Sequence, residues 1–357
     1  MASIFNCYVG CNAGSPDLQA LHVLACDAET GLSRIVQSVK GVQGTTYFQQ
    51  SPDGRWLYTA IGEARGGSVV RFPIGEDGRL GEMERLAELP CEAPCHISLS
   101  PDGSRVFAAA YSSATVLSLN ADGSDLKSYV FPNDRVGPNR LRQKKAYAHF
   151  TFLTPDGSRL GVTDLGCDRI RFFDPVTLVV DPSLEITCNP GDGPRHTVWS
   201  KDGRFLFVLH ELGSSVASYA FDGRSFVKVG QWSMLPRTFN RWAADGETLR
   251  TKASAIKLTD DGQVLLASNR GHDSIALFSV DAATGQLKLR NVAELTGKFP
   301  RDFALVPGER FVVVGHKMSD EIQVYRFDRE AFALEPAGTP ILCWRPLCFV
   351  FARPSSR

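Results

Sequence analysis

The chain alternates between short polar turns and short apolar strands, and one unit of this kind recurs six times. Most copies place Asp-Gly in the turn, a pair that accepts the positive φ of a tight hairpin, and every copy continues into apolar residues typical of a strand. The copies are SPDGRWLY (51–58), SPDGSRVF (100–107), TPDGSRLG (154–161), SKDGRFLF (200–207), TDDGQVLL (259–266) and VPGERFVV (306–313). They start 49, 54, 46, 59 and 47 residues apart, which is about the length of one four-stranded propeller blade.

The segments between these copies complete the blade pattern. Apolar or alternating runs such as 170–173, 274–278 and 321–325 are typical of strands, and no long stretch shows helical periodicity. Six copies and the N-terminal remnant 7–11 make seven units, and the C-terminal run 348–351 is expected to pair with the N-terminal strands and close the ring. The sequence therefore predicts an all-β fold, a seven-bladed β-propeller of four-stranded antiparallel blades, as a single domain over residues 1–357.

Composition and hydropathy limit the binding partners and the cellular location that the sequence predicts. The 357 residues carry a formal net charge of zero, which argues against nucleic acid and anionic membranes as partners. No apolar run approaches the ~18 residues of a membrane span, and the N-terminus lacks a basic region and a cleavage site, so a cytoplasmic protein is expected.

The nine cysteines suit reduced core thiols better than a disulfide framework. Cys7 with Cys11 and Cys91 with Cys95 have a loosely metal-like spacing. Since neither pair is accompanied by a second pair and histidines, core packing is the favoured interpretation.

The repeat also serves as a ruler for finding a site. In a hairpin, the start of the first strand and the end of the second strand both lie opposite the turn. Residues at fixed offsets from the turn Asp should therefore converge at one end of the blades. Seven residues before that position stand Thr46, Cys95, His149, Arg195, Ser254 and Arg301, and nine residues after it stand Gly62, Tyr111, Leu165, Glu211, Arg270 and Lys317. Two long basic loops, 132–147 and 236–252, break the regularity and are predicted to lie on the same face, where function often resides.

The residues selected in this way are unusually charged for structural repeat positions. Neighbours in sequence add Asp164, His196, His210, Asn269 and His316. A convergent His, a Glu and several Arg favour a functional site, and the excess of positive charge indicates an anionic small molecule. The alternative interpretation is a set of ion pairs and hydrogen bonds that only rigidify the ring.

Several blocks carry a family resemblance over nearly the whole chain. The blocks are GDGPRHTVWSKDGRFLFVLHEL (191–212), SNRGHDSIALF (268–278), FPRDF (299–303), VVGHKMSDEIQVY (313–325), GPNRLRQKKAYAHF (137–150) and TDLGCDRI (163–170). They resemble the cycloisomerase-2 or seven-bladed lactonase family, which includes propeller-type 6-phosphogluconolactonases and fungal carboxymuconate cyclases. The resemblance implies that His149, Arg195, Glu211 and Arg270 are the functional residues. Two features depart from the family pattern: Tyr147 replaces the first histidine of a common His-Ala-His pattern, and the 236–252 loop is longer and more basic. The identity of the substrate therefore stays open.

Opening a lactone requires an activated water, a stabilised oxyanion and a proton for the leaving alkoxide. Either Glu211 or His149 could act as general base and acid, with Arg195 and Arg270 as oxyanion and anion ligands. A distal phosphate or carboxylate would be bound by Arg301 and Lys317, with Lys145 or Arg241 as further candidates. The substrate-binding set comprises His196, Asp164, Asn269, Arg301, His316, Lys317 and Tyr147.

No organic cofactor is expected, because no P-loop or dinucleotide fingerprint occurs. A divalent metal on Glu211, Asp164 and His149 is an alternative that the neighbouring arginines disfavour. The leading hypothesis is a hydrolase of an anionic sugar lactone, with 6-phosphogluconolactonase as the specific candidate. The alternatives are a carboxymuconate-type cycloisomerase, a lactonase for an unphosphorylated sugar lactone, and a non-enzymatic binding scaffold.

Overall fold

The computed structural model describes residues 4–12, 20–42, 44–63, 66–246 and 248–353, without the side chain of Glu63. These residues form seven four-stranded antiparallel sheets, as the repeat predicts. We number these sheets as blades in the order of the turn phrases. Among the described residues, no helix is long and apolar enough to cross a membrane.

The strands of the first three blades follow one another along the chain. Blade 1 contains β4 (Phe48–Gln50), β5 (Trp56–Glu63), β6 (Gly66–Pro73) and β7 (Glu84–Leu89). Blade 2 contains β8 (His96–Leu99), β9 (Arg105–Ala110), β10 (Thr115–Asn120) and β11 (Lys127–Val130). Blade 3 contains β12 (Ala148–Leu153), β13 (Leu160–Asp164), β14 (Arg169–Phe173) and β15 (Val180–Thr187).

The next three blades repeat this order. Blade 4 contains β16 (Pro194–Trp199), β17 (Phe205–His210), β18 (Ser215–Phe221) and β19 (Phe226–Ser233). Blade 5 contains β20 (Lys252–Leu258), β21 (Val264–Arg270), β22 (Ser274–Val280) and β23 (Leu287–Glu294). Blade 6 contains β24 (Pro300–Leu305), β25 (Phe311–His316), β26 (Glu321–Asp328) and β27 (Ala333–Leu342).

Blade 7 combines the two ends of the chain. It contains β28 (Pro346–Phe351), β1 (Ile4–Cys11), β2 (Leu21–Asp27) and β3 (Ser33–Val39), in that order across the sheet. The antiparallel register pairs Cys7 with Phe351 and Gly10 with Cys348. The predicted pairing of the C-terminal run with the N-terminal strands is therefore confirmed, and it provides β1 with a neighbour on its open edge.

The chain divides into two compact units. The first comprises Met1–Val130, Asp302–Phe327 and Glu335–Arg357, and the second comprises Phe131–Arg301 and Asp328–Leu334. In the second unit, alternate residues of blades 4 and 5, among them Phe207, Leu209, Ala267 and Phe278, are buried in one apolar cluster. Burial of such side chains is the main driving force for blade packing. The assignment of residues 1–357 to a single domain stays a prediction.

The predicted turns adopt the conformation that their glycines allow. The turn glycines Gly54, Gly103, Gly157, Gly203 and Gly262 have φ between 72° and 75°. Residues with a β-carbon rarely adopt such angles, so glycine is required at this point of the hairpin. The turn is thereby fixed, and with it the position of the strand ends that carry the candidate site.

Candidate active site

Two candidate catalytic residues lie in β-bulges at the start of their blades. In β12 the register shifts between Ala148 and Phe150, so His149 is the extra residue. In β16 it shifts between Pro194 and His196, which makes Arg195 the extra residue. A bulge leaves its extra residue outside the regular ladder and turns its side chain in a new direction. The same local irregularity therefore aims both side chains in adjacent blades of the second unit.

Glu211 is the centre of an ionic cluster. It follows β17 directly and only 2% of its surface is exposed. Its Oε2 accepts hydrogen bonds from Arg195 Nε at 3.1 Å and forms an ion pair with an Arg270 guanidinium nitrogen at 2.8 Å. Its Oε1 accepts from an Arg142 guanidinium nitrogen at 2.7 Å. One buried carboxylate thus holds three arginines in fixed positions.

The charge of this cluster does not balance. Burial by itself raises the pKa of Glu211, but Arg270, Arg195 and Arg142 outweigh it and hold that pKa well below its usual range. The carboxylate is therefore ionised throughout the physiological pH range and is a poor proton acceptor. Three guanidinium groups around one carboxylate leave a net positive charge, which favours an anionic ligand.

Backbone carbonyls hold two of the guanidinium groups further. An Arg270 guanidinium nitrogen donates to Ala253 O at 2.7 Å, and Arg195 donates to Ser254 O. Ser254 lies in a third register shift, between Ala253 and Ile256 of β20. The Nε of Arg270 is buried and has no hydrogen-bond acceptor among the residues that the structure describes. A buried N–H without an acceptor is costly, and a ligand oxygen would satisfy it.

The two histidines of the cluster have different roles available to them. Arg195 also approaches His196 Nε2 at 2.8 Å, and because a guanidinium can only donate, that nitrogen must be the acceptor. His196 is therefore a neutral imidazole whose basic nitrogen is already used. The ring of His149 lies 5.5 Å from that of His196. Burial, with Arg195 next, lowers the pKa of His149 well below its usual value, so His149 is neutral at pH 7.

Two further basic side chains contribute to this positive environment. Arg301 is a further and smaller cause of the low pKa of His149, because a nearby positive charge disfavours the protonated imidazole. Lys252, at the start of β20, has a lowered pKa because it is half-buried and close to Arg142 and Arg270. The second unit therefore concentrates cations around His149 and Glu211.

Three of the predicted substrate-binding residues have structural contacts within the second unit, and their part in substrate binding stays a prediction. Asp164 Oδ1 accepts backbone N–H groups of Tyr147, Gly166 and Cys167 at 2.9, 3.1 and 3.1 Å. Asn269 is fully buried and donates to Met234 O at 3.1 Å. Asp164 and Tyr147 thus hold the loop before β12, and Asn269 holds the end of β19. Glu211 is paired with three arginines, and Arg171 Nε lies 3.8 Å from Asp164 Oδ2. These neighbouring cations disfavour the divalent-metal alternative.

The remaining predicted residues are placed differently. His316 and Lys317 belong to the first unit, where His316 Nε2 lies 3.2 Å from the Tyr325 hydroxyl. Their part in the site stays a prediction. Arg241, in the 236–252 loop, donates to Gly213 O at 2.7 Å, and Lys145 Nζ lies 5.8 Å from the Tyr147 ring centroid. His210 is buried and hydrogen-bonded to Ser215 at 3.0 Å, a contact within blade 4.

The sequence reasoning missed Arg142 and Asp168. Arg142 lies inside the 132–147 loop, where no offset from a turn could locate it. Asp168 accepts Gln143 Nε2 and the backbone N–H groups of Gly191 and Gly193 at 2.8, 2.8 and 2.7 Å. It therefore ties the loop that carries Arg142 to the segment that leads into Arg195. The sequence signal for Asp168 was its place as the second Asp of the TDLGCD block (163–168), whose first Asp, Asp164, was selected as a candidate site residue.

A cavity of about 360 Å³ lies between the two long loops. Asn139, Arg140 and Leu141 line it from the 132–147 loop, and Arg241 and Trp242 line it from the 236–252 loop. The catalytic candidates do not line this cavity, but Arg142 is the next residue after Leu141. The loops that sequence analysis singled out thus form a cationic pocket adjacent in sequence to the ionic cluster.

Known proteins resemble this chain over almost its whole length. An uncharacterised protein of Staphylococcus saprophyticus is 27% identical over 339 residues, covering 92% of this chain and 93% of the relative. The structure of the Pseudomonas aeruginosa periplasmic gluconolactonase superposes with a TM-score of 0.86 at 26% identity, covering 98% of this chain and 99% of that one. A Bacteroides uniformis protein, provisionally named a 6-phosphogluconolactonase, superposes with a TM-score of 0.83 at 25% identity, covering 98% and 99%.

The sequence profile of one family matches the chain from the first blade strand to the last. The match covers residues 6–351, and the family is described as "Lactonase, 7-bladed beta-propeller". This agrees with the seven sheets and with the blocks around Arg195, Glu211 and Arg270. The chain belongs to the seven-bladed β-propeller lactonase family.

Proposed function

We propose that this protein hydrolyses the lactone of an anionic sugar acid, with 6-phosphoglucono-1,5-lactone as the specific substrate. One observation carries the proposal: a buried carboxylate holds three arginines beside a neutral histidine. This arrangement provides a base, oxyanion donors and a net positive charge in one place. The gluconolactonase of Pseudomonas aeruginosa and the provisionally named Bacteroides uniformis enzyme support a sugar lactone as the substrate class.

In the proposed reaction His149 is the general base. It takes a proton from water as the water oxygen attacks the lactone carbonyl carbon, and the carbonyl oxygen becomes an oxyanion. Arg270 and Arg195 stabilise that charge, and the buried Nε of Arg270 is the donor best suited to it. The tetrahedral intermediate then breaks the bond to the ring oxygen, and the His149 imidazolium returns the proton to that oxygen. The product is the open hydroxy acid, so atoms and charges balance.

Glu211 acts on the arginines rather than on the water. Its ion pairs keep its pKa low and keep the guanidinium groups oriented before the substrate arrives. Such preorganisation is what makes electrostatic stabilisation effective. Of the two bases that the sequence left open, the geometry therefore favours His149.

The distal phosphate is assigned to the cavity between the two long loops. Arg140 and Arg241 supply its positive charge, and Trp242 supplies an apolar wall. The volume of about 360 Å³ is in the range of small-ligand sites. This placement gives the phosphorylated lactone an advantage over gluconolactone itself.

A substrate panel tests the proposal. Purified protein would be assayed with 6-phosphogluconolactone, glucono-1,5-lactone and a muconolactone, with the wild type compared with Arg195→Ala and with Arg204→Ala as a surface arginine control. We expect hydrolysis of 6-phosphogluconolactone to be fastest, to fall about 10²–10³-fold in Arg195→Ala and to persist in Arg204→Ala. Equal rates on both sugar lactones would refute the phosphate specificity, turnover of the muconolactone alone would favour the cycloisomerase, and full activity of a folded Arg195→Ala would refute the site.

A further inference from the structure

A second buried cluster of reactive side chains lies in the first unit, in blade 7. Cys11 is the last residue of β1, His22 lies in β2, and Cys343 lies between β27 and β28. One ligand atom from each residue lies within 4.8 Å of the other two, and all three residues are buried. The two sulfurs are 3.3 Å apart, although the residues are 332 positions apart in the chain. The fold has therefore assembled this group from both chain ends.

Neighbouring groups orient each member of the cluster. The Ser38 hydroxyl lies 2.8 Å from His22 Nδ1, which fixes the ring and leaves Nε2 as the nitrogen for a ligand. The backbone N–H of Cys343 donates to Asp320 O at 2.9 Å. The side chain of Asp320 accepts the N–H of Arg345 at 3.0 Å. These contacts hold the segment before β28 in place, so Cys343 faces Cys11 from a fixed backbone.

We propose that Cys11, His22 and Cys343 form a binding site for Zn²⁺. Two sulfurs and one imidazole nitrogen are the ligands that zinc prefers, and a small ligand such as water would complete a tetrahedron. Charge favours a divalent ion, because two thiolates and one Zn²⁺ are neutral together, and a net charge in a buried site is costly. The hydrogen bond between Ser38 and His22 has the form of the outer contact that usually accompanies a metal-bound histidine.

Geometry separates this proposal from a disulfide. Zinc–sulfur bonds of about 2.3 Å place two tetrahedral thiolates about 3.8 Å apart, so the sulfurs need to separate by about half an ångström. A disulfide needs them to approach to about 2.05 Å. The His22 imidazole favours the metal site over the disulfide, because it can coordinate Zn²⁺ and takes no part in a disulfide. In the sequence Cys11 has a loosely metal-like spacing with Cys7, but in the fold the sulfur beside Cys11 Sγ is that of Cys343.

The ion would cross-link the place where the two chain ends meet. Cys11 belongs to β1, and Cys343 precedes β28, the strand that pairs with β1. A bound ion stabilises the folded state by mass action, since the unfolded chain does not hold the three ligands together. The proposed role is therefore structural and independent of the lactonase proposal.

Metal binding to the full-length protein tests the site. Protein purified under reducing conditions and freed of metal would be titrated with Zn²⁺ by calorimetry and with Co²⁺ by absorption spectroscopy. We expect one ion per chain, thiolate-to-cobalt charge-transfer absorption, and a rise in Tm on adding Zn²⁺. Cys11→Ser and Cys343→Ser should lose the absorption band and the Tm rise, whereas Cys7→Ser, a buried cysteine on the same strand, should keep both.

Other results would overturn the proposal. Binding that is equally tight in Cys11→Ser and wild type would indicate an adventitious ion only. A mass two hydrogens lower without metal, with a Cys11–Cys343 crosslink in the peptide map, would indicate a disulfide. If a serine variant fails to fold, His22→Gln gives the same comparison with both sulfurs retained, and unchanged Zn²⁺ affinity in that variant would refute the three-ligand site.

Discussion

The two ends of the blades are built in opposite ways. At the turn end, five copies of the phrase form the same contact, in which a Ser or Thr hydroxyl donates to the carboxylate two residues later. The pairs are Ser51–Asp53, Ser100–Asp102, Thr154–Asp156, Ser200–Asp202 and Thr259–Asp261. At the other end, the equivalent positions carry His149, Arg195, Glu211 and Arg270, each with different partners.

The difference separates architecture from chemistry. The contacts at the turn end join residues two positions apart, are partly exposed to solvent and recur in five blades. Each therefore adds a little to the stability of its own hairpin. The contacts around Glu211 join residues as far as 69 positions apart, and the carboxylate that they share is buried. Blade packing by itself does not require different charged residues at equivalent positions in adjacent blades. This departure from the repeat is therefore where a function is to be sought.

The largest expected effect follows removal of the central carboxylate. Glu211→Ala leaves Arg142, Arg195 and Arg270 without their shared anion, and breaking a buried ion pair costs about 3–5 kcal/mol. We expect a loss of this size in the free energy of unfolding, measured by urea denaturation, and loss of lactonase activity. Glu84→Ala, which removes an exposed partner of Arg71, should cost no more than about 1 kcal/mol. Equal losses in the two variants would contradict the central role of Glu211.

Local patterns predicted the fold, because the signals that define a blade are local. The Asp-Gly turns and the apolar runs fix hairpins by contacts that span a few residues, and the period supplies the blade count. The closing strand at 348–351 was predictable because an unpaired edge in a ring needs a partner.

The candidate site was predictable only in part. The fixed offsets from the turn Asp selected His149, Arg195, Glu211 and Arg270, because these residues lie at strand ends in register with a turn. The offsets could not show that His149 and Arg195 are the extra residues of bulges, since a bulge depends on pairing with the next strand. Nor could they place Arg142, whose position depends on the path of a loop, or show that Asp164 accepts the backbone N–H groups of Tyr147, Gly166 and Cys167.

The second prediction concerns the base. His149→Gln should lower kcat about 10²–10⁴-fold with little change in KM or Tm, because it removes proton transfer and keeps a polar side chain of similar size. His272→Gln, a half-buried histidine beside Phe239, serves as the matched control. Steady-state kinetics on both variants measure the difference. A KM effect without a kcat effect would assign His149 to binding instead.

The pH profile sharpens the same assignment. Burial and Arg195 lower the pKa of His149, so the imidazole stays neutral below the usual histidine value of about 6.5. We therefore expect kcat to remain level from pH 8 down to about 6.5 and to fall only in more acidic solution, as the base becomes protonated. A midpoint at or above pH 6.5 would show that another group is the base. His149→Gln should lose this acid limb from its residual rate.

A smaller effect is expected in the cationic cavity. Arg241→Ala removes one charge-assisted contact to a distal phosphate, and about 1.4 kcal/mol corresponds to a tenfold change. We expect KM for 6-phosphogluconolactone to rise about tenfold while KM for glucono-1,5-lactone stays unchanged. Arg237→Ala, in the same loop but outside the lining of this cavity, is the control. A rise in KM for both lactones would show that the loop, rather than the phosphate contact, is affected.

The smallest effect is expected at the turn end. Asp202 accepts hydrogen bonds from Ser200 Oγ at 2.7 Å, from Arg204 N at 3.1 Å and from Arg204 Nε at 2.6 Å, and the Ser200 contact contributes most to lowering its pKa to about 2. Because these contacts are exposed and local, Asp202→Ala should cost about 0.5–1.5 kcal/mol of unfolding free energy and leave kcat and KM unchanged. The cost should be complete above about pH 4, shrink as the pH falls toward 2 and be lost below about pH 2, where the wild-type carboxyl is protonated in the folded state as well. A change in lactone turnover would show that the turn end and the ionic cluster are coupled, and the separation of architecture from chemistry would then fail.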